Sequence, residues 1–278
     1  MGLPGVRALI RGFAFAGVMT MTAALAGCST MRTESASGAF VERSVTVDGA
    51  AYRYQVFVPA RSSRSGVVPT IPLPIIMFLH GTGERGSDGD KPTRVGLGPY
   101  IRAHADTFPA IAVFPQAPDG RDWNGVAAEI AFAALDAATQ EFVGDPDRSY
   151  LTGLSMGGYG TWELALMQPQ RFAALAPVCG GLTAPRAERN LVVTPLQGEA
   201  DPPAALARRL KHLPAWIFHG AKDDVVPPRE SREVAIALKA VGADVRYTEF
   251  PEANHNSWDP AYSQTPELWT WLFAQRRK

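Results

Sequence analysis

The sequence predicts an α/β fold, with a mostly parallel central sheet, helices on both faces and an antiparallel hairpin at its N-terminal end. Two observations predict it. Short, continuous apolar runs alternate with stretches of helical periodicity from residue 73 onward, and such runs are typical of parallel strands that are buried on both faces. Before them, two segments of alternating polarity, 41–47 and 51–59, are joined by Asp48-Gly49, a dipeptide that is frequent in hairpin turns.

The further elements follow the same patterns in chain order. Strands are predicted from apolar runs between turn residues, at 73–79, 110–114, 149–154, 172–178, 215–219 and 245–250. Helices are predicted where apolar residues recur at helical spacing, at 127–142, 159–167, 229–240 and 266–275. Pro266 suits the first turn of the last helix, and Gly242 suits the cap just beyond the third.

The composition fits an ordinary globular domain and excludes some partners. The chain has 278 residues, of which 46% are hydrophobic and 19% are charged, so one large domain is expected. Its 27 basic residues equal its 27 acidic residues, which leaves no basic excess that would attract nucleic acid. The two cysteines, Cys28 and Cys179, form no CxxC pair and no Cys/His cluster, so we expect no structural zinc site.

The first 28 residues have the pattern of an export signal. Arg7 and Arg11 precede an uncharged apolar stretch, 12–27, which is shorter than a membrane span requires and is typical of a secretory signal peptide. The stretch ends in Leu-Ala-Gly-Cys28, which resembles the lipobox of bacterial lipoproteins. The resemblance implies cleavage before Cys28, a lipid on its thiol, and anchoring to a bacterial membrane on the periplasmic or cell-surface side. The alternative is an ordinary signal peptide followed by a chance cysteine.

These patterns divide the chain into three parts. They are a lipoprotein signal peptide at 1–27, a flexible tether at 28–40 and a folded domain at 41–278. Within the domain, residues 180–212 are rich in Pro, Arg, Leu and Ala and have the least regular pattern. We expect them to form a helix-containing excursion beside the functional site.

One serine stands in the pattern G-x-S-x-G, at Gly153-Leu-Ser155-Met-Gly157. The pattern lies between a predicted strand and a predicted helix, and a sharp turn in that context exposes the serine oxygen at the carboxyl end of a sheet. The glycines allow such a turn without side-chain clashes. A serine hydroxyl becomes a nucleophile when a base removes its proton. The alternative is a purely structural glycine turn.

A base for this serine must come from one of five histidines. His255 lies in a loop after the last predicted strand, and this position favours it as the general base. His80 and His219 each end a strand and precede a glycine, so we interpret them as packing or hydrogen-bonding groups. His104 and His212 lie in polar segments, and we expect them to face solvent.

The imidazole in turn needs a carboxylate that fixes its tautomer and stabilises its positive form. The candidates are two neighbours, Asp223 and Asp224, in the loop after the predicted strand 215–219. The pattern alone leaves both open, and we favour Asp223.

A negative charge that develops on a substrate oxygen needs two N–H donors. One is the amide of Met156, directly after the serine. The other is expected from the glycine-rich loop after the first parallel strand, with the amide of Thr82 favoured and that of Gly83 next. We expect Glu84 and Arg85 to brace this loop by ion pairing, and a substrate contact by Arg85 is the alternative.

Four sequence blocks resemble a known family. They are His80-Gly-Thr-Gly-Glu-Arg-Gly, Gly-Leu-Ser155-Met-Gly-Gly, His-Gly-Ala-Lys-Asp223-Asp-Val-Val-Pro and Asn-His255-Asn-Ser-Trp. They look like the esterase and peptidase branch of the α/β-hydrolases, near the dienelactone hydrolase, feruloyl esterase and phospholipase/carboxylesterase groups. The resemblance covers residues 41–278, and it implies that the acid is Asp223, three residues after the glycine of its block. The dienelactone hydrolases use a cysteine nucleophile, so their substrate is not implied.

The resemblance implies an α/β-hydrolase fold and a serine esterase, in which Ser155, His255 and Asp223 form a catalytic triad and cleave carboxylic esters through an acyl-enzyme. It implies no metal or organic cofactor. The expected partners are a small-molecule or polymer-linked ester and the membrane that holds the lipid. Trp123 and Trp258 could line the substrate pocket, and core packing is the alternative for both. Two other functions stay open, namely a serine peptidase of the same fold and a non-catalytic, lipid-anchored binding protein.

Overall fold

An eight-stranded sheet organises the part of the chain that the structure describes. The computed structural model describes residues 37–60, 71–187 and 189–278, which fall in one compact unit. The strands are β1 (Ala39–Val47), β2 (Ala50–Val58), β3 (Leu73–Leu79), β4 (Ile111–Phe114), β5 (Gly144–Leu154), β6 (Ala174–Val178), β7 (Ala215–Gly220) and β8 (Val245–Phe250). Their order is β1-β2-β4-β3-β5-β6-β7-β8. The β1–β2 and β2–β4 pairs are antiparallel and the other neighbouring pairs are parallel, which confirms the predicted sheet.

Helices cover both faces of this sheet. In the described residues they are α1 (Leu97–Ala103), α2 (Gly125–Glu141), α3 (Met156–Met167), α4 (Pro202–Leu210), α5 (Arg229–Ala240), α6 (Trp258–Ser263) and α7 (Glu267–Ala274). The helices α2 to α5 bury their apolar residues against one face, and α1, α6 and α7 bury theirs against the other. The sheet is therefore the middle of three layers, with a hydrophobic core on each side.

The N-terminal strand is longer than the sequence pattern predicts. It begins at Ala39, so the predicted tether, 28–40, is wrong at its last two residues. The strand includes Phe40 because the ring of Phe40 packs on those of Phe57 and Phe114, with centroid distances of 5.4 and 5.7 Å. These contacts come from distant parts of the chain, so the local pattern does not contain them.

Three helices had no helical prediction of their own. Of these, α4 lies inside residues 180–212, where we expected a helix-containing excursion. Both α1 and α6 contain residues of low helix propensity, namely Gly98, Pro99 and Pro260. Proline is tolerated in a first turn, which is where both prolines stand. At Gly98 a Cβ would lie 2.0 Å from the carbonyl oxygen of Thr93, so close packing requires the glycine.

The predicted signal peptide, 1–27, and the predicted lipidation site, Cys28, lie outside the described residues. Among the residues that are described, no helix combines the length and the apolar character that crossing a bilayer requires.

The carboxyl ends of the parallel strands carry the candidate residues. The strands β3, β5, β7 and β8 end shortly before Thr82, Ser155, Asp223 and His255, respectively. Because the strands are parallel, these four ends lie at the same edge of the sheet, which is where ligands bind in open α/β folds.

Candidate active site

Ser155 stands on a strained turn between β5 and α3. Its φ is 53° and its ψ is −118°, a conformation that costs a non-glycine residue on the order of 1–3 kcal/mol. The turn is held by the amide of Ser155, which donates to the carbonyl oxygen of Val178 at 3.0 Å. The side chain remains partly exposed and lines a cleft.

Glycines allow the neighbouring backbones to approach this turn. A Cβ on Gly157 would lie 1.9 Å from the carbonyl oxygen of Leu79, and a Cβ on Gly153 would lie 2.3 Å from the carbonyl oxygen of Gly157. Both distances are far shorter than van der Waals contact, so a side chain at either position would push β3, β5 and α3 apart. The glycines of the G-x-S-x-G pattern are therefore required by packing as well as by the turn.

His255 reaches Ser155 from the loop after β8. Its Nε2 lies 2.9 Å from Oγ of Ser155, and its Nδ1 lies 2.8 Å from Oδ2 of Asp223. A carboxylate can only accept, so Nδ1 carries the proton and Nε2 of the neutral ring is free to accept one from the serine. Trp258 packs edge-on against the imidazole, with a centroid distance of 5.6 Å.

The side chain of Asp223 is fully buried, and both of its oxygens accept hydrogen bonds. Oδ1 accepts from the amides of Val225 and Val226, at 2.9 Å each, and Oδ2 accepts from His255. Burial by itself would raise the pKa of this carboxyl. The hydrogen bonds from His219, His255 and the Val226 amide outweigh burial and hold the pKa well below its usual range. The group is therefore an anion at neutral pH.

His219 is a second imidazole on the same carboxylate. Its Nε2 lies 3.2 Å from Oδ2 of Asp223 and 3.0 Å from the carbonyl oxygen of Val226. Both partners are acceptors, so Nε2 carries the proton and Nδ1 accepts from the hydroxyl of Ser231 at 2.7 Å. The sequence predicts a hydrogen-bonding group here but not its partner, and the spacing of four residues to Asp223 was the available signal. Asp224 is exposed, so the structure brings Asp223 alone of the two to the loop histidine.

The loop after β3 is oriented by His80. The Nδ1–H of His80 donates to the carbonyl oxygen of Gly81 at 2.6 Å, and the amide of Ala117 donates to Nε2 at 3.0 Å. In a trans peptide the carbonyl and the next N–H point in opposite directions, so this bond turns the amide of Thr82 away from the imidazole. Thr82 and Met156 are each the first residue of a helix, and first amides have no acceptor within their own helix.

Burial lowers the pKa of His80 to about 4, so the ring is neutral at physiological pH. Trp123 packs edge-on against this ring at a centroid distance of 4.9 Å, and its indole N–H donates to the carbonyl oxygen of His80 at 3.0 Å. Only 2% of Trp123 is exposed. The prediction that Trp123 lines the pocket is therefore wrong, because the side chain supports the loop from beneath. Trp258 does line the cleft.

The cleft beside Ser155 has a volume of about 390 Å³. One wall is formed by the loop residues 81–84, and another by residues of the segment 185–191. Val225 and Val226 contribute apolar surface near His255. The cleft can therefore hold a substrate whose reacting carbonyl meets the serine hydroxyl.

Two buried carboxylates fasten the segment that forms the second wall. Glu230 of α5 accepts from the amides of Leu182 and Thr183 at 2.9 and 3.1 Å, and from the hydroxyl of Thr183 at 2.7 Å. Glu163 of α3 accepts from the amide of Thr194 at 2.6 Å and from its hydroxyl. The wall is thus tied to helices of the core at both of its ends.

Arg85 braces the first wall through a different partner from the one expected. Its guanidinium donates to the carboxylate of Asp122 and, at 2.6 Å, to the carbonyl oxygen of Arg121. Glu84 lines the cleft and Arg85 does not. Burial raises the pKa of Glu84.

Cys179 lies behind the imidazole and carboxylate pair. Ligand atoms of Cys179, Asp223 and His255 lie within 4.8 Å of one another, a spacing that a metal ion could use. Metals bind the thiolate form of cysteine, and burial raises the pKa of this thiol well above its ordinary value. Asp223 and His255 are also bonded to each other. The donor set therefore fits a neutral thiol packed behind the pair better than a metal centre.

Comparisons with known proteins agree with this architecture. The model of the prolyl oligopeptidase family matches residues 120–186. NocK of Nocardia uniformis subsp. tsuyamanensis, whose name proposes an esterase, is 29% identical over 231 residues, which is 75% of this chain and 65% of that protein. An uncharacterized secreted protein of Arthroderma benhamiae (strain ATCC MYA-4681 / CBS 112371) is 26% identical over 263 residues, which is 82% of this chain and 27% of that protein.

A solved thermostable esterase is 30% identical, with a TM-score of 0.70, over 86% of this chain and 63% of that protein. The chain thus spans less than two thirds of the length of each of these proteins. Its eight-stranded, mostly parallel sheet and these similarities show that it has the α/β-hydrolase fold. Two of these similar proteins carry esterase names.

Proposed function

We propose that this protein is a serine hydrolase that cleaves carboxylic esters through an acyl-enzyme. One observation carries the proposal. Oγ of Ser155, the ring of His255 and the carboxylate of Asp223 form a continuous hydrogen-bonded chain, with links of 2.9 and 2.8 Å, beside an open cleft. The tautomer of His255 in this chain is the one that a general base needs.

The first half of the reaction forms the acyl-enzyme. Oγ of Ser155 attacks the ester carbonyl while Nε2 of His255 takes its proton. Asp223 stabilises the imidazolium across the Nδ1 bond, because its carboxylate is an anion throughout. The amides of Thr82 and Met156 donate to the oxygen that becomes negative. The imidazolium then gives its proton to the leaving alcohol.

The second half releases the acid. A water molecule gives a proton to Nε2 of His255 and attacks the acyl carbonyl. The same two amides hold the second oxyanion, and the bond to Oγ of Ser155 breaks as the serine regains its proton. The product acid leaves, and the free enzyme is restored. All of these steps use side chains and amides of this chain.

A peptidase of the same fold is the second candidate, because the prolyl oligopeptidase family model matches residues 120–186. The matched segment contains Ser155 but neither Asp223 nor His255. It therefore supports the turn around the nucleophile more than a preference for amide bonds. The esterase-named relatives match larger parts of the chain, so we rank ester hydrolysis first.

The test compares an ester and an amide that carry the same acyl group. Purified protein is assayed on 4-nitrophenyl butyrate and on butyryl 4-nitroanilide, and is labelled with a fluorophosphonate probe. We expect ester turnover, little anilide turnover, and probe labelling, with ester turnover and labelling lost in Ser155→Ala. Ser263→Ala is the matched control, because Ser263 is exposed on α6.

Each outcome distinguishes the candidates. Comparable turnover of the anilide would favour the peptidase. Unchanged ester turnover in Ser155→Ala would end the proposed mechanism. Absence of both turnover and labelling in the folded parent protein would favour the non-catalytic binding protein.

We further propose that the protein is exported and lipid-anchored through Cys28. The signal-like pattern of residues 1–27 and the lipobox-like Leu-Ala-Gly-Cys28 support the proposal, and a relative that carries a secreted name supports export. The test expresses the full chain in a bacterium and separates it by Triton X-114 phase partition. We expect the detergent phase for the parent protein and for Cys179→Ser, and the aqueous phase or an unprocessed form for Cys28→Ser. Aqueous partition of the parent protein would contradict anchoring.

A further inference from the structure

Two arginines stand on one wall of the cleft. Arg186 and Arg189 face the same cleft as Ser155 and His255. They flank a tight turn in which the amide of Arg189 donates to the carbonyl oxygen of Arg186 at 3.1 Å. The turn belongs to the segment that Glu163 and Glu230 fasten to the core. The backbone on either side of this turn is therefore held by the fold.

The two guanidinium groups differ in their partners. Arg189 donates to Asp122 at 2.7 Å, and the same carboxylate also accepts from Arg85. One carboxylate thus serves two guanidinium groups. It also ties the arginine turn to the loop that carries Thr82.

Among the described residues of the cleft lining, Arg186 is a cation with no ion-pair partner. Its side chain is exposed, and among the residues that the structure describes it has no carboxylate partner. Apart from the two arginines and His255, Glu84 is the titratable group on the described part of the lining, and burial raises the pKa of its carboxyl. The other lining residues are uncharged. The cleft therefore presents a cation beside an apolar surface.

We propose, on the basis of the esterase function proposed above, that the cleft selects esters that carry a carboxylate within reach of Arg186. A guanidinium group suits this ligand because its planar fork matches a carboxylate with two parallel hydrogen bonds and because it is weakly hydrated. The substrate class is the half-ester of a dicarboxylic acid or the ester of a hydroxy acid, with the charge on the acyl or on the alcohol side of the scissile bond.

The test uses two substrate pairs, one for each side of the ester bond. Monophenyl adipate and phenyl hexanoate place a charged or a neutral end on the acyl side. The acetate ester of 4-hydroxybenzoate and that of its methyl ester do the same on the alcohol side. The readout is the ratio of kcat/KM for the charged substrate to kcat/KM for the neutral one.

We expect the parent protein to prefer the charged member of at least one pair, and the ratio to fall on the order of 10-fold in Arg186→Gln, the scale of one lost hydrogen bond to a charged group. Arg186→Lys should keep part of the preference. Arg208→Gln is the matched control, because Arg208 is an exposed arginine on α4 outside the cleft lining, and it should leave the ratio unchanged. Added salt should reduce the preference, because the contact is exposed.

A parent protein that hydrolyses neutral esters but shows no charge preference in either pair would overturn this inference and leave the esterase proposal standing. So would a ratio that is the same in Arg186→Gln as in the parent. If the parent protein hydrolyses none of the four esters, this result would instead count against the esterase proposal itself.

Discussion

Replacing Asp223 by asparagine tests the hydrogen-bonded chain at its most buried point. Four donors surround this carboxylate, namely the amides of Val225 and Val226 on Oδ1, and the rings of His255 and His219 on Oδ2. An asparagine has one acceptor oxygen, so its NH2 group must face one of these two donor pairs. If the oxygen keeps the two amides, the NH2 group faces the two imidazoles.

This arrangement forces His255 into the wrong tautomer. Its Nδ1 must accept from the NH2 group, so Nε2 carries the proton and cannot accept one from Ser155. Two hydrogen bonds to a charged group are lost, at about 1.5–3 kcal/mol each, and the new bonds from the NH2 group to the imidazoles offset part of this loss. Part of this free energy appears as lost transition-state stabilisation, and we expect kcat/KM to fall about 10³-fold. The free energy of unfolding should fall by about 1–3 kcal/mol.

The assay is kcat/KM on 4-nitrophenyl butyrate, with urea denaturation to show that the variant is folded. Asp224→Asn is the matched control, because Asp224 is adjacent and exposed, and it should stay within about 0.5 kcal/mol of the parent in stability. A folded Asp223→Asn protein that keeps more than about a tenth of the parent kcat/KM would refute the reasoning, as would an equal loss of activity in Asp224→Asn.

Three further predictions concern the scaffold. Gly157→Ala should lower the free energy of unfolding by about 3 kcal/mol or more, because its Cβ would lie 1.9 Å from a backbone oxygen. Gly83→Ala is the control and should change this free energy little, because there is open space around its Cβ. Urea denaturation measures both variants. Glu230→Gln should raise KM more than it lowers kcat, because it loosens one wall of the cleft. Glu233 is exposed on the same helix, so Glu233→Gln should leave both KM and kcat unchanged. The pKa of His80 is lowered to about 4, so between pH 6.5 and pH 4 the unfolded chain takes up a proton that the folded protein does not. The free energy of unfolding should therefore fall by about 3 kcal/mol over this range. If this free energy depends on pH in His80→Gln as it does in the parent, the prediction is wrong.

The sequence predicts most strands of the sheet well, because a strand that is covered by helices on both faces needs apolar residues along its whole length. The strands β3 and β8 have the predicted bounds, β3 because its apolar run ends at turn residues and β8 because its alternating residues do. The start of β5 was missed, because Gly144 to Arg148 is polar and pairs with β3 only at the sheet margin. The residues around Ser155, Asp223 and His255 could be predicted because each follows directly on a strand end, and topology then brings them together.

The position of the two arginines in the cleft could not be predicted in the same way. Arg186 and Arg189 lie in a segment with no periodicity, and their position depends on contacts with Glu163 and Glu230 from two distant helices. The pairing of Arg85 with Asp122 likewise joins two loops that are far apart in the chain. Trp123 was misassigned for a related reason, because a large aromatic side chain near a site is equally suited to a pocket and to the support beneath it.

The two carboxylates, Glu163 and Glu230, separate the part of the molecule that holds the proposed triad from a part that can vary. The segment between Thr183 and Thr194 is fastened at both ends to helices of the core, so its exposed positions can change with little effect on the loops that carry Ser155 and His255. A library that randomises 184–187 while keeping Glu163, Arg189 and Glu230 would therefore explore new selectivities on one unchanged frame. The same division offers a natural lineage a route to new substrates through a short exchangeable insert.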